Sequence, residues 1–344
     1  MRPAPSSVPM RAPEFWAAPS GIAARLLAPL AVGWGAAARW RHRAAGAAER
    51  ASVPVVCVGN LVVGGAGKTP VALSLAALAA SRGIAAHVVT RGYGGRLAGP
   101  LRVDPLRHDA ALVGDEALLI AAAAPCWVAR DRSAGARAAA AAGAELVLLD
   151  DGHQYPHIAK DLSLLVIDAA YGFGNGRLIP AGPLRQPVAA GLARADAIAL
   201  LGDGDPPAAV RSSGRPILRG HLRPLAASRF AGARVVAFAG IGRPAKFFAS
   251  LTATGADIVA AHAFPDHHRY RAGDLARLRR EAAAAGARLV TTAKDRVRLP
   301  AAARLDIDAL DVAVEWDDPA ATLRLLLRVL PELSVGHGRR AARG

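Results

Sequence analysis

Short apolar runs alternate with stretches of helical periodicity along most of the chain. Residues 53–58 form a β-branched, apolar strand segment, followed by a glycine-rich turn and an apolar helix from Lys68 to about Ala80. Residues 85–90, 145–150, 162–168 and 195–201 read as further strands. These runs are continuously apolar, without polar alternation, and helical stretches separate them. That pattern predicts a parallel sheet covered on both faces.

The pattern breaks at residues 171–187, where Gly172, Gly174, Gly176, Pro180, Gly182, Pro183 and Pro187 crowd together. Such a segment reads as a long loop, and loops of that length within a compact domain are usually functional. Residues 204–215 read as a boundary. Alternation resumes from Arg234: strand to 240, helix over 244–254, strand over 257–264, helix over 273–285, strand over 288–292, strand over 312–316, then a closing helix. A second, smaller α/β layer is expected there.

Composition supports a folded protein, with 53% hydrophobic and 20% charged residues among 344. Cys57 and Cys126 lie in apolar surroundings and cannot make a disulfide framework, which suits a reducing compartment. The net charge of +16 is carried almost wholly by arginine, since lysine occurs only at Lys68, Lys160, Lys246 and Lys294. An anionic partner is implied. No arginine tract interleaved with aromatics occurs, so no nucleic acid is expected as that partner. Residues 15–40 are Ala/Leu-rich, carry Trp16, Trp34 and Trp40, and close on Arg39, Arg41 and Arg43. The uncharged run over 26–38 is too short to span a bilayer. Two readings stand: a helix lying in a membrane interface, or an amphipathic helix docked on the protein.

The chemistry begins after the first strand. Gly64-Gly65-Ala66-Gly67-Lys68-Thr69, between a strand and a helix, has the order of a P-loop. Backbone N–H groups there converge on phosphate, with the helix N-terminus behind them. Lys68 is placed to reach the β and γ phosphates of ATP, and the Thr69 hydroxyl to ligate Mg2+. Val62 stands where the strict pattern has glycine. Asp150-Asp151-Gly152 ends an apolar strand, where a Walker B carboxylate belongs.

Several motifs go beyond a generic P-loop. Gly59-Asn60-Leu61, Gly64-Gly65 and Gly67-Lys68-Thr69-Pro70 are followed by Arg91-Gly92-Tyr93-Gly94-Gly95 and Val113-Gly114-Asp115-Glu116. Then come Asp150-Asp151-Gly152 with Gln154, Gly174-Asn175-Gly176-Arg177, and Pro180-Ala181-Gly182-Pro183-Leu184-Arg185. Ala239-Gly240-Ile241-Gly242, Phe264-Pro265-Asp266-His267-His268 and Thr291-Thr292 with Lys294-Asp295 complete the series. In this order, from about Phe15 to Asp295, the chain resembles the tetraacyldisaccharide 4′-kinases, the lipid A 4′-kinases of Gram-negative bacteria.

The resemblance implies transfer of the ATP γ-phosphate to the 4′-hydroxyl of an acylated glucosamine disaccharide 1-phosphate at the cytoplasmic face of the bacterial inner membrane. It implies no stable protein partner. Asp115 is implied as the base, paired with a histidine of the Asp266-His267-His268 motif, expected at His267. Glu116, Asp150 and Asp151 join Thr69 as magnesium candidates. Arg185, Gln154 and Arg132 are implied for the substrate. Nucleotide contacts are expected from Gly64, Gly65, Ala66, Gly67, Lys68, Thr69 and Pro70. Val62, Ala66, His153, Tyr155, Gln186 and Ala293 depart from the family pattern without touching Lys68, Thr69, Asp115 or His267.

The expected organisation is therefore α/β. Residues 1–50 form an amphipathic membrane-associating segment, and 51–215 a P-loop ATP-binding domain with a parallel sheet. Residues 216–331 form a second α/β domain contributing the histidine, and 332–344 a flexible tail. The rival reading is a membrane-associated P-loop switch ATPase acting on a protein partner.

Overall fold

The strand that follows the N-terminal segment, β1 (Val55–Gly59), is buried at all five positions and lies in the middle of a sheet. The computed structural model describes residues 13–17 and 21–330. Residues 1–12 and 18–20 of the expected membrane segment, and the expected tail over 332–344, lie outside the described residues.

The chain continues through β2 (Ala86–Thr90), β3 (Leu101–Arg102), β4 (Cys126–Val128), β5 (Leu146–Asp150), β6 (Leu162–Asp168), β7 (Ala197–Leu201) and β8 (Ile217–Pro224). It then makes β9 (Arg234–Ala239), β10 (Asp257–Ala263), β11 (Arg288–Thr292), β12 (Ile307–Leu310) and β13 (Val312–Trp316). Nine strands form one sheet in the order β13-β8-β7-β6-β1-β5-β2-β4-β3, and four form another in the order β10-β9-β11-β12. The seven strands from β8 to β4 are parallel neighbours, and only β13 and β3 at the edges run antiparallel. The smaller sheet is parallel throughout.

Alternate side chains of the central strands feed two apolar layers. Val56, Val58, Leu146 and Leu148 pack with the helix Lys68–Ala80, whereas Val55, Cys57, Val147 and Leu149 pack with the helix Arg132–Ala141. This is why the strands read as continuously apolar, since neither face meets water.

The expected extent of the second unit differs from what is observed. Strands β8 and β13, placed by sequence within 216–331, close the edge of the large sheet, with Val312 opposite Pro224 and Trp316 opposite Gly220. The closing helix Pro319–Leu327 returns to the large core, where Leu326 is buried, and Trp316 Nε1 donates to Ser74 Oγ at 2.6 Å. The small sheet is an excursion between two paired neighbours. At its base, Leu225 N–H donates to the Asp311 carbonyl at 2.8 Å.

The N-terminal segment is a short turn at Glu14–Trp16 and two helices, Ile22–Leu26 and Ala28–Arg43, instead of one helix. Pro29 at the start of the second fits the break, because proline suits a first turn but not an interior. Small residues face the protein: Ala24, Ala31 and Gly35 are buried, and a Cβ on Gly35 would lie 2.7 Å from Leu178. Large apolar residues face out, with Ile22 77%, Leu30 63% and Trp40 70% exposed. The segment is thus docked on the protein by its small residues, as one of the two readings expects, and its outer face carries the large apolar ones.

Candidate active site

Strands β1, β5, β6 and β7 run parallel, so their C-terminal ends share one edge, and the connections leaving that edge build the site. Between β1 and the helix Lys68–Ala80 runs the glycine-rich loop. Gly67, the last residue before the helix, has φ 91°, and a Cβ there would meet Leu201 Cδ1 at 2.4 Å. Only glycine satisfies both demands. Val62 is buried and bridges Leu184, while Val63 N–H bonds the Pro183 carbonyl at 2.9 Å. The Gly/Pro-rich segment over 171–187 thus braces the loop where the strict glycine is missing.

The helix start places Thr69 Oγ1 3.0 Å from Asp150 Oδ2 at the end of β5. Asp150 is buried, and its Oδ1 has no protein partner. Burial, with the Glu116 and Asp151 carboxylates nearby, pushes Asp150 up to about 7 despite Lys68. Asp151 behaves oppositely. Burial alone would raise it, but Lys68 and Arg185 hold it well below the usual carboxylate range. Arg185 Nη1 donates to both Asp151 oxygens at 3.0 and 2.9 Å, and Lys68 Nζ lies 3.8 Å away. Gln154 Nε2 donates to the Asn60 carbonyl at 2.7 Å, fixing the end of β1. Arg132 lies over the Tyr155 ring at 4.8 Å and reaches the Asp151 carbonyl at 3.4 Å, leaving its buried Nε unpartnered. Arg185 and Gln154 therefore hold site backbone and carboxylate, while Arg132 keeps spare donor capacity.

Across the cleft, Asp115 opens the helix Asp115–Ala121 and His267 sits in the turn after β10 with φ 58°. His267 Nδ1 and Asp115 Oδ2 are 3.0 Å apart. His268 turns away and bonds Asp274 at 3.0 Å, so the histidine beside Asp115 is His267. Burial alone would raise Asp115, yet the His267 hydrogen bond and the Lys294 and Arg298 charges hold it well below the ordinary range.

Several residues here were given no role by sequence reasoning. Arg298 donates to Asp115 through Nε at 2.6 Å and also through Nη2. Lys294 Nζ bonds Glu116 at 3.0 Å. Arg243 donates to the Gly65 carbonyl at 2.5 Å and to Asp168 at 2.6 Å, and Lys246 also pairs with Asp168. The scarcity of lysine was a usable signal for Lys246 and Lys294. Arg298 and Arg243 were hidden among many arginines. One cleft of about 2890 Å³ takes in Lys68, Asp115, Asp151, Arg132, His267, Arg298 and the Trp34–Trp40 stretch of the N-terminal helix.

A Tetraacyldisaccharide-1-P 4′-kinase family profile matches residues 23–331. A tetraacyldisaccharide 4′-kinase of Rhodospirillum centenum is 57% identical over 93% of this chain and 97% of its own. Another, of Dinoroseobacter shibae, is 53% identical over 94% and 98%. Among solved structures, the "apo" form LpxK of Aquifex aeolicus in complex with ATP shares the fold, with TM-score 0.69 at 24% identity over 89% of this chain and 99% of that one.

Proposed function

From the premise that this chain belongs to the tetraacyldisaccharide 4′-kinase family, we propose that the cleft between its two sheets is where the γ-phosphate changes hands. The chain is a kinase that phosphorylates the 4′-hydroxyl of a tetraacyl disaccharide 1-phosphate with ATP. The observation that supports this placement is that Lys68 and Thr69, the latter bonded to Asp150, line the same cavity as the Asp115–His267 pair.

In this reading, the backbone of Gly64, Gly65, Ala66 and Gly67 and the N-terminus of the helix Lys68–Ala80, with Pro70 in its first turn, form the phosphate loop. Lys68 meets the β and γ phosphates. The donor set fits magnesium, because the unpartnered Asp150 Oδ1 and the Thr69 hydroxyl offer adjacent hard oxygen ligands. Thr69 and Asp150 would hold the ion, with Glu116 and Asp151 at its margin. The ion would neutralise charge on the phosphate oxygens. The Asp115–His267 pair takes the proton of the attacking hydroxyl, and Arg298 keeps the pair assembled. Arg132, which lines the cleft, would meet the acceptor's phosphate, and Arg185 and Gln154 support the walls around it.

The acceptor is a lipid, so the site must open toward a membrane. Among the described residues no helix is long and apolar enough to cross one. The outward Ile22, Leu26, Leu30 and Trp40, beside Arg39, Arg41 and Arg43, support a monotopic contact with an anionic inner-membrane surface at its cytoplasmic face.

The deciding experiment supplies the protein with γ-labelled ATP and the 1-phosphorylated tetraacyl disaccharide. Label in the lipid is expected. Phosphate released to water with none in the lipid is the signature of a switch ATPase and would sink the kinase reading.

A further inference from the structure

Three of the four lysines, Lys68, Lys246 and Lys294, line the cleft, and Lys160 does not. It stands just before β6, where its Nζ donates to the Tyr155 carbonyl at 2.8 Å and to the His153 carbonyl at 3.4 Å. An ammonium carries three donors, so one is left over. Lys160 lines a second cavity, of about 360 Å³, together with Arg194, Arg215, His153, Ser163 and Asp196. Arg194 follows the short helix Val188–Ala193 and donates through Nη2 to Gln186 Oε1, and Arg215 Nη2 donates to the Ala193 carbonyl at 3.3 Å.

Each of these partners is neutral. Lys160, Arg194 and Arg215 are all half-buried, and among the described residues none of them forms an ion pair. The carboxylate in the lining, Asp196, is exposed and gives Oδ2 to the Ser163 N–H at 2.7 Å. His153 adds no charge, since burial, then the Arg194 and Lys160 charges, push its pKa down to about 4. Burial, then the Arg194 and Arg132 charges, likewise lowers the Lys160 pKa. A half-buried cation bonded only to neutral oxygens has given up hydration without gaining a counter-charge. An oxyanion supplies that charge and accepts from several donors at once. The space suffices, because a single water occupies only about 30 Å³ of liquid.

The position of the cavity narrows the ligand. His42 lies in the last turn of the N-terminal helix Ala28–Arg43, and burial, then the Arg194 and Lys160 charges, lowers its pKa. The basic end of that helix, with Arg41 and Arg43, therefore adjoins the cavity, and Trp40 beside it is 70% exposed.

We propose that this cavity is a phosphate-binding site separate from the catalytic cleft, in which Lys160, Arg194 and Arg215 hold the phosphate of an anionic phospholipid headgroup or a free phosphate ion. A headgroup held there pins the foot of the N-terminal helix and fixes how the protein sits on a membrane. Arg194 lines both cavities, so the site meets the cleft through that one side chain. The site stands whether or not the Asp115–His267 pair serves the transfer.

The test uses the full chain saturated with magnesium and a non-hydrolysable ATP analogue, so that the glycine-rich loop does not compete for the probe, which is inorganic phosphate. About 10 mM phosphate should raise the melting temperature by about 2 °C or more over sodium chloride of equal ionic strength. Lys160→Met and Arg194→Gln should each abolish that rise. Arg280→Gln, which removes an exposed arginine of the helix Ala272–Ala284, should keep it. A merely structural role of Lys160 or Arg194 would shift the melting temperature with and without phosphate alike. If either variant fails to fold, Arg215→Gln decides, since its rise should fall well below that of wild type. No rise beyond that of chloride overturns the proposal, as does an undiminished rise in the pocket variants. Sedimentation with phosphatidylcholine vesicles containing phosphatidylglycerol then separates the two sources. Phosphate that releases wild type from these vesicles, where chloride of equal ionic strength does not, identifies the headgroup as the occupant. Phosphate that gives the thermal rise without releasing the protein identifies the free ion.

Discussion

Lys68 lies 3.8 Å from Asp151, a separation that lets the ammonium leave for a phosphate at little cost. Under the proposed function, Lys68→Ala should lower label transfer by about 10²–10³-fold. The melting temperature should stay nearly unchanged, and retained transfer would mean that the loop does not hold the phosphates. His153 gives a prediction in pH. Burial first, then the Arg194 and Lys160 charges, push its pKa down to about 4, and its Nε2 faces the Gly191 carbonyl at 3.1 Å. A histidine depressed in the folded state binds its proton more readily when unfolded. Its contribution is therefore fully present above about pH 6.5 and is lost as pH falls toward 4. Between pH 7.5 and 5 the loss should be about 2 kcal/mol by urea unfolding, and His153→Phe should flatten that slope. The thiols give a third. Burial raises Cys57 to about 11 and Cys126 higher still, so neither should alkylate at pH 8 until the protein is unfolded. Lys68, Thr69, Asp115 and His267 were legible because each sits inside a short motif whose neighbours give it meaning. Arg298 was not, because its role exists only once a second sheet carries it across to Asp115.

At the scale of elements, the buried strands were readable for a simple reason. Each of β1, β2, β5, β6 and β7 is buried at every position, so the whole run is apolar, and the segments read from sequence differ from these strands by at most two residues at an end. The short edge strand β3 and the three-residue β4 carry too few residues for a periodic signal. The pairing of β8 with β13 joins segments far apart in the chain and leaves no local trace. The N-terminal helix was readable in composition but not in facing. Its small residues dock, Trp34 Nε1 bonds the Arg185 carbonyl at 3.1 Å, and its large residues are left outside. If that outer face contacts lipid, Leu26→Asp with Leu30→Asp should abolish sedimentation with anionic vesicles. Far-UV circular dichroism should be unchanged, since both side chains are already solvent-exposed. Undiminished sedimentation would count against the contact.

At the scale of the molecule, charge joins the two sheets. Asp168, at the end of β6 and 3% exposed, takes Arg243 and Lys246 from the start of the helix Pro244–Thr252, while Arg298 and Lys294 take Asp115 and Glu116. Asp168→Ala should cost about 1–3 kcal/mol in urea unfolding, because it takes the carboxylate away from two cations and from the Ala170 N–H donor. Unchanged stability would show that the pairing does not hold the sheets together. The excursion between β8 and β13 has a further meaning. Its two ends are pinched where Leu225 meets Asp311, so the whole small sheet hangs from what is, in topology, the tip of a β-hairpin. Chain-closure entropy grows only logarithmically with the size of such a tip. A hairpin can thus carry an entire graft, and exchanging the graft would replace the histidine delivered to the cleft without disturbing the strand order that holds the glycine-rich loop.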